Sequence, residues 1–129
     1  MKRVLFVCVE NSNRSQMAEA FARLHGGSGV EALSAGSKPS GQINPKAVRF
    51  MAELGYDLTT HASKSLDEID GEFDAVVTMG CGDTCPVLPG KRYLDWDVAD
   101  PDGADLDEVR DIRDDLQRRI IGLLRDLDL

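Results

Sequence analysis

Cys8 and Arg14, with Ser15 directly after and Asn11 between, are the residues whose types and spacing could do chemistry. A thiolate is a nucleophile, and a guanidinium grips two oxygens of a tetrahedral oxyanion in fork geometry. Ser15 can hydrogen-bond the sulfur, and Asn11 can hold the intervening loop through side-chain to backbone bonds. A short polar loop that curls its N–H groups inward forms an anion-binding nest. A helix N-terminus beyond it adds unpaired donors and a positive dipole end. Such a field favours thiolate over thiol. Arrays of this kind suit attack on a bound oxyanion. Taken bare, the pair means little, because a cysteine at a strand end is usually a small buried hydrophobe. The surrounding sequence decides.

That sequence reads as strand, loop, helix. Val4 to Val7 is an apolar run of strand type, and Cys8 ends it. From Ser15 the apolar positions Met17, Ala20, Phe21 and Leu24 recur at helical spacing. After a turn at 25–29, Val30 to Ala35 predicts a second strand closing on Gly36. The loop Ser37 to Gln42 should lie near the top of the sheet. Asn44 and Pro45 match a cap and first helical position, with Ala47, Val48, Met51 and Leu54 as the buried stripe and Gly55 as the stop. Ser65 to Glu68 matches a capping box. Phe73 to Met79 predicts a strand buried on both faces, and Lys91 to Leu94 a last short one. The final helix opens at Asp105 with the stripe Leu106, Val109, Ile112, Leu116, Ile120, Leu123 and Leu127. Its charged face, around DEVRDIRDD, reads as solvated.

Strands alternating with helices imply right-handed crossovers and a mainly parallel sheet, with the ligand site beyond the strands' carboxyl ends. Three segments meet at that edge: Cys8, the loop Gly80 to Gly90 with Cys81 and Cys85, and the loop after Leu94 with Asp97, Asp100 and Asp102. A thiolate attacking an oxyanion needs an acid for the departing oxygen, which those aspartates could supply.

The 129 residues suit one domain with one core. Fifteen basic against 23 acidic residues leave a net charge of −8, which argues against nucleic acid and anionic membranes as partners. Anion attraction must then be local. The longest apolar run is far too short to span a bilayer. MKRVLFVC reads as a first strand rather than a signal peptide, so a cytoplasmic location is expected. Three cysteines argue against a disulfide framework. Zinc is not expected, since Cys81 and Cys85 have only His25 and His61 beside carboxylates to complete four ligands, at no recognisable spacing. His25 and His61 read as surface or turn residues, and Trp96 as packing.

Cys8-x5-Arg14-Ser15 after a strand, Asn11 in the loop and Gln16-Met17-Ala18-Glu19-Ala20 opening the helix resemble the low-molecular-weight protein tyrosine phosphatase superfamily. Ser34-Ala35-Gly36, Asn44-Pro45-Lys46-Ala47, Val76-Val77-Thr78-Met79, Cys85-Pro86 and Asp100-Pro101 carry the likeness nearly end to end, closest to that superfamily's arsenate reductases. The resemblance implies an α/β fold: a single αβα domain over residues 1–129, three layers deep, around a mainly parallel four-stranded sheet. It implies Cys8 as nucleophile, residues Glu10, Asn11, Ser12, Asn13, Arg14 and Ser15 as the arsenate-binding loop, and Asp100 as general acid.

It further implies that Cys81 and Cys85 relay a disulfide to thioredoxin, or that a glutaredoxin-type reductant, glutathione or mycothiol completes the reaction. No tightly bound cofactor is implied, and the protein is expected to be a monomer. Some relatives carry potassium, whose ligands Asn11, Glu19, Ser34 and Asp67 resemble. Three departures stand out. Only Gly82, Asp83 and Thr84 separate the two loop cysteines, Asn13 replaces a common cysteine, and Glu10 replaces a usual glycine. A phosphatase needs Cys8 alone, so phosphate-ester hydrolysis is the second reading. The aromatic pair that commonly follows Asp-Pro in phosphatases is Asp102-Gly103 here. The third is an oxyanion-binding or redox-sensing module without turnover.

Overall fold

The computed structural model describes residues 1–79, 90, 92–99, 101 and 103–128. Strands β1 (Lys2–Cys8), β2 (Val30–Gly36), β3 (Ala75–Thr78) and β4 (Tyr93–Asp95) form one parallel sheet in the order β2-β1-β3-β4. Helices α1 (Arg14–Gly26), α2 (Pro45–Ala52) and α3 (Leu106–Asp126) complete the fold. β1 is central, and the strand order reverses beside it. Its carboxyl end is therefore the switch point at which open α/β sheets bind ligands, and Cys8 is its last residue.

The period of two along β1 sorts its side chains onto two faces. Val4, Phe6 and Cys8 face a core built with Met17, Phe21, Met51, Leu116 and Ile120, so all three helices contribute to one side. Leu5 and Val7 face Leu66, Phe73 and Val76. That second layer is thin among the described residues, where Ile69 and a single 3-10 turn at Leu66–Glu68 cover it. Among the described residues no helix is long and apolar enough to cross a membrane.

The expected caps form. Asn44 accepts from the N–H of Lys46 with Pro45 at the first helical position, Asp105 accepts from the N–H of Glu108, and Ser65 and Glu68 make the full capping box. Three apolar positions differ from expectation. Leu24, Leu54 and Leu106 are exposed because each lies at or beyond a helix end that overhangs the core. Phe50, absent from the expected stripe of α2, is fully buried.

The charged face of α3 is not wholly solvated either. Arg113 is buried, donating to the carbonyl of Phe50 at 3.0 Å and to Glu53 at 2.7 Å, with Asp114 at 2.9 Å. Arg110 reaches the same Glu53 at 2.8 Å. These two arginines clamp the end of α2 onto α3 and hold the Glu53 carboxyl down at about 2. A depressed carboxylate contributes stability above its unfolded value near 4.5 and loses it as pH falls through its folded value. Glu53→Gln should therefore lower the urea midpoint at pH 7, and the gap to the parent should close between about pH 4.5 and pH 2. Urea melts across that range check it.

Candidate active site

Residues 9–13 form a loop between β1 and α1, and the carbonyls of residues 9–12 all bond to donors outside it. The Val9 oxygen accepts from the N–H of Lys38 at 2.8 Å, and that of Glu10 from Ser40 N–H at 3.0 Å and Ser63 Oγ at 3.1 Å. The Asn11 oxygen accepts from Gln16 Nε2 at 2.9 Å, and that of Ser12 from Asn44 N–H at 2.8 Å. No peptide here is cis, so each N–H lies opposite the preceding carbonyl. The amides of Glu10, Asn11, Ser12 and Asn13 are thereby turned to the inner side of the loop. Amides turned this way suit an anion, and the N-terminus of α1 abuts them.

Asn11 holds the tightest bend, at a left-handed φ of 50°. Asparagine tolerates that region better than most residues. Its Oδ1 accepts from the N–H of Lys64 at 2.7 Å, and its Nδ2 donates to Ser15 Oγ at 2.9 Å. Ser15 Oγ lies 2.8 Å from Cys8 Sγ, both buried. Once Cys8 is ionised its sulfur can only accept, so Ser15 becomes the donor. Gly36 pairs with Cys8 across the sheet. A Cβ there would overlap the Val9 oxygen and stand 2.9 Å from the Asn11 nitrogen, so the loop needs glycine at that position for room.

Asn11, Ser12, Asn13 and Ser15 are buried, Arg14 is half-buried and Glu10 is exposed. The carboxylate at Glu10 is thus on the solvent side. The amide of Asn13 is buried with neither polar atom hydrogen-bonded. Arg14 donates through Nη1 to the Val98 carbonyl at 2.9 Å, tying the anion loop to the segment after β4. Trp96 is packed partly against the main core, as expected. Asp97 is exposed. Cys81, Cys85 and Asp100 lie outside the described residues.

Behind the loop lies a polar cluster that sequence reasoning missed. His61, expected at the surface, has a side chain only 3% exposed, with Nδ1 3.1 Å from Glu19 Oε2 and 3.0 Å from Gln16 Oε1. His25 is exposed and stacks on Phe21. Glu19 is buried, paired with Arg23 at 3.2 Å, accepting from Ser34 Oγ at 2.8 Å, and 3.9 Å from Lys64 Nζ. Potassium does not fit these residues. Three basic side chains already surround Glu19, and Asp67 is exposed, with no hydrogen bond or ion pair to the cluster among the described residues. Nothing in the sequence marked His61. Gln16, next to Ser15 on a buried helix, was the available signal.

Residues 3–129 match the family model of low molecular weight phosphotyrosine protein phosphatase. The chain belongs to that family. It is similar to the glutaredoxin arsenate reductase of Synechocystis sp., 34% identical over 96% of this chain and 97% of the relative. Among solved structures it resembles an arsenate reductase in the phosphate binding state, with a TM-score of 0.88, 33% identity and 98% of each chain covered. It also resembles the thioredoxin-dependent arsenate reductase of Corynebacterium glutamicum, with a TM-score of 0.83 and 38% identity. That match covers 99% of this chain and 62% of the other. These reductases thus share one fold with this chain.

Gly36→Ala tests the packing of the loop directly. With backbone atoms on both sides of the added methyl, overpacking should cost about 1–3 kcal/mol. The shift should fall on the nest. Protection of Cys8 from alkylation by phosphate should weaken strongly, which mass mapping of the Cys8 peptide against phosphate concentration would read.

Proposed function

We propose that the protein is an arsenate reductase in which Cys8 attacks arsenate held by the inward N–H groups of residues 10–13 and by Arg14. The observation that carries thiolate–oxyanion chemistry is the 2.8 Å contact of Cys8 Sγ with Ser15 at the base of an N–H nest. The choice of reduction over hydrolysis rests on Cys81 and Cys85, which a phosphatase does not need, and on the likeness to named reductases. The unpaired Asn13 amide leaves a further donor and acceptor in the loop.

Cys8 sulfur bonds to arsenic and a hydroxyl leaves as water, protonated by Asp100. Asp100 is two residues beyond Val98, whose carbonyl holds Arg14. A Cys81 thiolate then attacks the Cys8 sulfur. The sulfur–arsenic bond breaks with its electron pair on arsenic, which leaves as arsenite, and a Cys8–Cys81 disulfide remains. Chain reach supports this partner. Met79 N–H bonds the carbonyl of Val7, the neighbour of Cys8, at 2.8 Å. Cys81 is two residues further, a span of at most about 7 Å. Cys85 next displaces Cys8 and passes the disulfide outward, where thioredoxin or a glutaredoxin-type thiol system returns the two electrons.

Arsenite formation with thioredoxin, glutathione–glutaredoxin and mycothiol systems, run side by side, tests this reading. Cys8→Ser should abolish turnover with the fold intact. Cys81→Ser should lose arsenate reduction yet keep weak hydrolysis of an aryl phosphate, and Cys85→Ser should stall after one turnover as a Cys8–Cys81 disulfide visible by mass spectrometry. Full turnover of the Cys81→Ser, Cys85→Ser double variant with a small thiol would replace the internal relay with direct attack by that thiol. Aryl phosphate hydrolysis without arsenate reduction under any reductant would make the protein a phosphatase.

Asp100→Asn should slow substrates with poor leaving groups by roughly 10²–10⁴-fold and those with good leaving groups far less. Comparing two aryl phosphates of different phenol acidity reads the difference. Rates unchanged from the parent with both substrates would move the acid to Asp97 or Asp102.

A further inference from the structure

Asn13 occupies the cap position of α1, yet its side chain does not cap. An asparagine there ordinarily accepts from the second or third helical N–H, donors that the helix itself leaves without a partner. Asn13 stands at φ −131° and ψ −86°, and its side chain makes no such bond. Only its backbone carbonyl joins the helix, accepting from the N–H of Met17 at 3.0 Å. The side chain thus leaves the first-turn donors to an anion. The cost falls on the amide. Asn13 is only 8% exposed, and both Oδ1 and Nδ2 are buried without a hydrogen-bond partner. Among the described residues only Ser37 Oγ shares that condition. A buried amide left unsatisfied is destabilising, so its retention calls for something that completes it.

The rest of the cradle is made of donors. The N–H groups of Glu10, Asn11, Ser12 and Asn13 turn inward, and a guanidinium has no acceptor. Ser15 Oγ, 2.8 Å from Cys8 Sγ, serves the thiolate, and the sulfur is engaged as nucleophile. Donors alone suit an anion whose oxygens are all bare. Arsenate and phosphate keep a proton on one oxygen at neutral pH, and that hydroxyl needs an acceptor. Sulfate keeps none. Asn13 Oδ1 is the one buried acceptor left unpaired in the loop. The N–H of the same residue is turned inward, so the side chain springs from the wall of the cradle. A cysteine, common at this position in relatives by resemblance, offers only a weak donor and a weak acceptor.

We propose that the Asn13 amide is a specificity determinant of the oxyanion site. Its Oδ1 accepts from the hydroxyl of a hydrogen-bearing oxyanion while Nδ2 donates to a neighbouring oxygen, which favours arsenate and phosphate over sulfate. This inference rests on the reading of Cys8 to Ser15 as an oxyanion site but not on reduction as the reaction.

The test compares phosphate with sulfate above neutral pH, where both are dianions of one shape that differ by a single proton. The half-protecting concentration of each is read from the rate of Cys8 alkylation by iodoacetamide, with mass mapping of the Cys8 peptide. The parent protein should be protected at a several-fold lower concentration of phosphate than of sulfate. Asn13→Leu, similar in size and without polar atoms, should narrow that preference by about 3–10-fold, the worth of one hydrogen bond. Asn13→Asp keeps an acceptor and loses the donor, so both anions should bind less well and sulfate should suffer more, which widens the ratio. A parent protected equally by both anions would overturn the proposal. So would an unchanged ratio in Asn13→Leu, since a merely structural role weakens both anions alike. Should Asn13→Leu fail to fold, Asn13→Asp decides, and a ratio that does not widen overturns the proposal. Protection by neither anion in the parent would remove the oxyanion site itself, a failure distinct from the loss of selectivity.

Discussion

The site depends on one backbone constraint. A loop that turns several N–H groups toward one point must send as many carbonyls the other way, and each buried carbonyl needs a donor. Here those donors come from Lys38, Ser40, Asn44, Ser63 and Gln16. The loop after β2, the cap of α2 and the strip around residues 61–65 are therefore the outer half of the anion site. Gly36 belongs to the same arrangement, since the strand end must pass within touching distance of the Val9 and Asn11 backbone. Anion binding in this fold is prepared by hydrogen bonds that never face the anion.

That arrangement resolves the conflict between a net charge of −8 and an anionic ligand. Exposed carboxylates are screened beyond roughly 8–10 Å at ordinary ionic strength, whereas oriented amides act at contact distance. Among the described residues the one carboxylate buried near the loop, Glu19, is paired with Arg23 and bounded by His61 and Lys64, so its charge is offset before it reaches the nest. The basic side chains of the cluster also supply the charge that a bound monovalent cation would, and of the potassium ligands implied by resemblance Asp67 stands exposed. Two of them, Glu19 and Ser34, bond each other instead.

Most of the scaffold was legible because its signals are local. The apolar run before Cys8, the Asn44-Pro45 pair and the Ser65–Glu68 box each specify their own few residues, and each forms as read. Failures arose where a partner lay far along the chain. Arg113 reads as one more charge on a solvated face until Glu53, sixty residues earlier, is brought beneath it. His61 reads as a turn residue until Gln16, 45 residues away, takes its ring nitrogen. Periodicity names the face a residue shares but not how far the core extends under it. Leu24, Leu54 and Leu106 therefore sit on or near buried stripes and are still exposed.

Arg14 joins the two halves of the site. One of its five N–H groups is held by the Val98 carbonyl, which leaves the rest of the fork for a tetrahedral anion. Val98 itself is anchored in the core, so this bond fixes the approach of the segment that runs to Pro101. The side chain proposed to grip the oxyanion thus also holds Val98, two residues ahead of the proposed acid in the sequence. A lysine could supply the charge but not both directions at once, since its compact ammonium lacks the planar fork. The requirement for arginine comes from geometry rather than charge.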